Sequence, residues 1–93
     1  MTVQITHIRY TSSTPTHESI THYRWVGVEN NSTGSNSKAE MVYFLDNQNG
    51  QAVVGSGASR VKVGTVHPDH GQPYLRTYAD GRWNNNLLSL PTF

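Results

Sequence analysis

Hydrophobic and polar positions alternate along most of this chain, and only one stretch changes to a helical spacing. Residues 3–10 (Val-Gln-Ile-Thr-His-Ile-Arg-Tyr) are rich in the β-branched and aromatic types that suit a pleated, half-buried surface. Residues 11–19 form a polar loop, where Pro15 has no amide to give to a ladder. A second strand is expected over residues 20–28 (Ile-Thr-His-Tyr-Arg-Trp-Val-Gly-Val). Residues 29–36 crowd Asn, Ser, Thr and Gly together and read as a loop, the segment expected to be most mobile.

Ser37-Lys38-Ala39-Glu40 matches a capping box, in which the Ser hydroxyl and the Glu carboxylate satisfy free amides at a helix start. Ala39, Met41, Val42 and Leu45 follow near i, i+3, i+4 spacing, so one face of a short helix is apolar, and residues 47–50 supply the stop. Three further strands are expected. Residues 51–54 end at Gly55-Ser56-Gly57. Residues 60–66 set Val61, Val63 and Thr65 against Arg60, Lys62 and Gly64. Residues 74–78 follow the turn His67-Pro68-Asp69-His70-Gly71 and precede another turn at Asp80-Gly81. The predicted order is β-β-α-β-β-β: a small α+β domain, its sheet mainly antiparallel, with one helix packed on it. Leu87, Leu88 and Leu90 are too apolar to hang in water, so the closing segment is expected to dock on the core.

Length limits this picture to one thin layer. Ninety-three residues make a single domain, 1–93, that buries only about 60–65% of the surface its unfolded chain exposes. Charged residues are only 14% and aromatics 10%, a balance that favours folding over disorder. There is no cysteine, which excludes disulfides and thiolate metal sites. No run approaches the roughly 18 apolar residues of a membrane span, and the first residues lack the basic and apolar regions of a signal peptide. A cytoplasmic setting is expected. A net charge of +1 predicts no strong general attraction to nucleic acid.

The closing residues Tyr74-Leu75-Arg76-Thr77, Asp80-Gly81 and Asn86-Leu87-Leu88-Ser89-Leu90-Pro91 resemble the C-terminal signature of a bacterial and phage family catalogued as domain of unknown function 3892. The opening Ile-x-x-Ile-Arg strand, the Ile-Thr-x-x-Arg-Trp strand and the Ser-capped helix stand in the same order, so the resemblance spans nearly the whole chain. It implies a small stand-alone domain and carries over no catalytic residue. Asn85 departs from the family, which more often has an acidic residue there.

Catalytic constellations are absent from the pattern. The carboxylates are scattered, no G-x-S-x-G elbow is present, and the glycines form neither a P-loop nor a dinucleotide fingerprint. No catalytic residue, cofactor or metal is assigned. His67-x-x-His70 and the His17–His22 pair match no standard zinc motif and read as exposed histidines of a turn and a loop. The pattern of interest is an internal echo: Ile5-Thr6-His7-Ile8-Arg9-Tyr10 and Ile20-Thr21-His22-Tyr23-Arg24-Trp25. If these strands pair antiparallel with His7 opposite Arg24 and Arg9 opposite His22, all four share one face. Tyr10, Tyr23 and Trp25 then lie beneath the helix. Two guanidiniums and two imidazoles suit a phosphate or carboxylate, because Arg presents a planar fork of donors. His7, Arg9, His22 and Arg24 are therefore the candidate ligand-binding residues, against the plainer reading of a solvated sheet face.

The function expected is a non-enzymatic binding module for a small anionic ligand such as a nucleotide, or for a protein partner, with phage counter-defence as one setting. The runner-up is an RNA or single-stranded DNA binder, since Arg24-Trp25, Tyr74-Leu75-Arg76 and Arg82-Trp83 interleave aromatic and cationic groups. A small hydrolase comes third. Homo-oligomer formation stays open.

Overall fold

The computed structural model describes residues 1–11, 16–55, 60–79, 82–84 and 86–93. The expectations for Pro15, Ser56-Gly57, Asp80-Gly81 and Asn85 lie outside these residues. In chain order the elements are β1 (Thr2–Tyr10), β2 (Ile20–Gly27), β3 (Thr33–Ser37), α1 (Lys38–Asn47), β4 (Gln51–Val54), β5 (Val61–Val66), β6 (Tyr74–Ala79) and β7 (Arg82–Asn84), followed by a 3-10 turn at Asn86–Ser89. They form one sheet, β3-β2-β1-β4-β5-β6, with the short β7 added at the far edge.

The α+β class holds, but the sheet is mixed. β1 and β4 pair in parallel, and every other neighbouring pair is antiparallel. The reason is the helix. β3 and β4 run in the same direction, and α1 carries the chain between them across the face of β2 and β1, as parallel strands require.

The predicted element order missed two strands, β3 and β7. β3 falls mostly on the segment read as a mobile loop. Thr-Gly-Ser-Asn-Ser has poor strand propensity, so tertiary contacts decide the matter. Trp25 lies opposite Gly34 in the β2–β3 register, and a Cβ at Gly34 would sit 2.6 Å from the indole. The aromatic ring thus covers the glycine, a recognised device for holding a glycine in an edge strand. The indole Nε1 also donates to Asn36 Oδ1 at 2.8 Å.

Helix α1 begins as its sequence dictates. Glu40 N donates to Ser37 Oγ at 3.2 Å, and Ser37 N donates to Glu40 Oε1 at 2.9 Å. Met41 is buried, and Val42, Phe44 and Leu45 pack against the core. Ala39, included in the apolar stripe by spacing, is exposed; Phe44 contributes to the packing instead. Gly50 is required here, because any Cβ would fall 2.3 Å from the Phe44 ring.

The core lies between α1 and one sheet face. Ile5, Ile8, Ile20, Tyr23, Leu75 and Leu87 are fully buried. β4 pairs only with residues 2–4 of β1, which leaves the rest of that strand edge open. The closing segment fills it: Ile8 N donates to Pro91 O at 3.0 Å, and Phe93 N donates to Ile8 O at 3.3 Å. With Leu87 buried and Leu88 and Leu90 packed on the core, the tail is part of the fold.

Candidate functional site

In the β1–β2 ladder His7 stands opposite Arg24, Ile8 opposite Tyr23 and Arg9 opposite His22. Ile8 and Tyr23 are fully buried against the helix side. Strand side chains alternate, so His7, Arg9, His22 and Arg24 all project from the other face. The two arginines are exposed and the two histidines half-buried.

Strict alternation would contradict this arrangement. Ile5 and His7 are two residues apart, as are Ile20 and His22, yet each isoleucine is buried on the helix side. Two register shifts resolve the conflict. One extra residue, Thr6, separates Ile5 from His7 in β1, and one extra residue, Thr21, separates Ile20 from His22 in β2. Each bulge inverts the pleat, putting Ile in the core and His outside within three residues. Thr6 Oγ1 donates to Arg24 O, and Thr21 Oγ1 donates to Arg9 O, both at 3.3 Å. Each Thr hydroxyl also lies within hydrogen-bond distance of Nδ1 of the following histidine, at 2.9 Å for His7 and 3.0 Å for His22. The two Ile-Thr-His-x-Arg copies are therefore related by a local two-fold axis through the Ile8–Tyr23 pair.

Two residues that the sequence reading did not assign belong to the same surface. Phe93 O accepts from Arg9 Nε at 2.9 Å, and the Phe93 ring lies 4.5 Å from the guanidinium carbon. Nothing in the sequence around Phe93 signals this role. Lys62 reaches the same face through the register Gln4, Val53, Lys62 across β1, β4 and β5. Its alternation with Val61 and Val63 gave the outward orientation but not the neighbours. The carboxylate of Glu40 is held below its ordinary range chiefly by the Ser37 amide, and the charge of His22 reaches it weakly.

Two of the other histidines, His67 and His17, have structural partners. His67 Nε2 lies 2.9 Å from Asp46 Oδ2, and Thr65 Oγ1 donates to Asp46 Oδ1 at 2.7 Å. His17 is a correction: read as exposed, it is buried and stacks on Tyr74 with ring centroids 6.1 Å apart. Burial, with the Arg76 charge second, lowers its pKa. Among the described residues no group of three or more His, Asp or Glu is placed to hold a metal ion, and no helix is long and apolar enough to cross a membrane.

An apolar groove of about 600 Å³ opens on the helix side, lined by Met1, Val3, Trp25, Met41, Tyr43 and Phe44 among others. Among its polar residues, Asn36 and Glu40 are engaged with Trp25, with each other and with the helix cap, which leaves these two poorly placed to orient a ligand.

The family model described as a protein of unknown function, DUF3892, matches residues 4–91. No curated protein and no solved structure matches the chain.

Proposed function

From a chain that belongs to this family of unknown function, we propose a non-enzymatic binding module that takes a small anionic ligand on the open face of β1 and β2. The observation that carries the reading is the doubled Ile-Thr-His-x-Arg unit. Its two bulges aim two arginines and two histidines outward from a ladder whose central pair, Ile8 and Tyr23, is fixed in the core. Guanidinium forks match phosphate and carboxylate oxygens, and the imidazoles add donors beside them. Lys62 extends the positive character of the face. The proposed setting is the cytoplasm, where nucleotides and other phosphorylated metabolites supply ligands of this chemistry.

Replacing both arginines, Arg9→Ala with Arg24→Ala, tests the reading by calorimetric titration with inorganic pyrophosphate. Affinity falls by more than tenfold, since each charge-assisted contact contributes about 1.5–3 kcal/mol. A folded double variant that binds pyrophosphate like the parent chain rejects it. A salt series separates the runner-up: binding to single-stranded RNA or DNA falls steeply as several counterions are displaced, with about −0.7 in log–log slope per phosphate contacted.

A further inference from the structure

The local two-fold axis relates the two halves of the basic face, yet the halves are differently occupied. The His7–Arg9 half is filled from within the chain. Phe93 places its ring 4.5 Å from the Arg9 guanidinium carbon and its main-chain oxygen 2.9 Å from Arg9 Nε. The same ring stands edge-on to His7, at 6.3 Å and 75°. The Arg9 guanidinium carbon thus lies over the face of a ring while its Nε–H reaches an oxygen, two modes of contact open to this cation.

The axis carries Arg9 onto Arg24 and His7 onto His22. Beneath each lies the same support: a bulged Thr hydroxyl bonded to the arginine carbonyl, and the buried Ile8–Tyr23 pair. Among the described residues, no ring and no oxygen engages the Arg24 guanidinium. Beside Arg24 the equivalent edge position belongs to Ser35 of β3, a small residue where Arg9 has Phe93, so the contacts on Arg9 indicate what Arg24 can accept from outside the chain.

We infer that the His22–Arg24 half is the seat of an aromatic anion, a ligand whose planar ring stacks on Arg24 while a nearby anionic oxygen takes its N–H groups. A nucleoside monophosphate and an aromatic carboxylate share this chemistry. The inference rests on the anion-binding reading above and narrows it, because a bare anion would use only the edge of the guanidinium.

Calorimetry on the full chain with adenosine 5′-monophosphate, N-acetylphenylalanine and inorganic phosphate tests it. At least one aromatic anion binds with one site per chain, tenfold or more tighter than phosphate; which of the two does so identifies the source. Arg24→Lys keeps the charge but removes the planar stacking surface. It should cost the aromatic anion more of its affinity than it costs phosphate, closing the gap between the two. Phe93→Ala removes the ring while the main-chain oxygen stays on Arg9 Nε; the guanidinium face and its terminal N–H groups are then open, and the stoichiometry should rise from one to two. Phosphate binding as tightly as both aromatic anions overturns this inference and leaves the anion-binding reading standing. No binding of any of the three overturns both. An Arg24→Lys variant with unchanged aromatic-anion affinity, or a Phe93→Ala variant whose stoichiometry stays at one or whose binding is lost, overturns the equivalence of the two halves. Thermal unfolding of each variant verifies that it is folded.

Discussion

On the helix side, the β1–β2 pair presents Ile5, Ile8, Ile20 and Tyr23, each at 0% exposure. On the other side, the same two strands present His7, Arg9, His22 and Arg24, and among the described residues no layer of secondary structure packs over them. One face contributes to stability through burial, and the other holds four polar side chains outward without contributing to the core. The residues alternate in a single ladder, so the difference comes from what lies against each side. The bulges at Thr6 and Thr21 let both demands be met, because they reset the alternation between an apolar requirement and a polar one.

The comparison breaks most visibly through the buried centre of the ladder. Ile8→Ala removes a fully buried side chain and should cost about 2–5 kcal/mol, lowering the thermal midpoint by about 8 °C or more. A smaller loss in a denaturant melt would mean the helix-side face is less tightly packed than its burial implies.

Gly34→Ala comes next. Its Cβ would meet the Trp25 indole at 2.6 Å, so Trp25 or the β3 edge must move. Overpacking of this kind costs about 1–3 kcal/mol. Protection of the β3 amides in hydrogen exchange should fall with it. Ser37→Ala is smaller, at about 0.5–2 kcal/mol, because it removes the hydroxyl that caps Glu40 N. An unchanged midpoint would indicate that the helix starts without its cap.

His17 gives a pH-dependent effect. Its folded pKa is lowered from 6.5, chiefly by burial, so the unfolded chain takes up protons more readily. Its contribution to stability is fully present above about pH 6.5 and is lost as the pH falls below that value. Melts across that range should show His17→Phe with a shallower loss than the parent. Equal slopes would remove His17 as the cause.

The smallest expected effect belongs to the open face. Arg24→Ala should leave stability within about 0.5 kcal/mol, as exposed substitutions usually do. Arg9→Ala should cost slightly more, because it releases Phe93. A large loss at Arg24 would make the basic face structural and end the contrast between the two sides.

Much of this was legible in the residues. The Ser37–Glu40 cap, five of the strands and the apolar tail follow from local pattern, because capping, β-branching and hydrophobic runs act over a few residues. The echo of Ile-Thr-His-x-Arg named the pairs the ladder forms, His7 with Arg24 and Arg9 with His22, but left the register open, since pairing His7 with His22 would also align the two copies. The bulges left a trace that local reading passed over: Ile5 and His7 cannot share a face if one belongs to the core. β3 left almost none, because Thr-Gly-Ser-Asn-Ser becomes a strand only when β2 offers a ladder and Trp25 lies over Gly34.

The sequence by itself determined the short-range choices: which segments are extended, where the helix begins, and which four polar residues echo one another. The tertiary structure decided the rest. It made β1 and β4 parallel by carrying α1 across the sheet, buried His17 against Tyr74, and laid Phe93 on Arg9 from 84 residues away. Contacts at such separation depend on how the whole chain closes on itself, and no window of neighbouring residues contains that information.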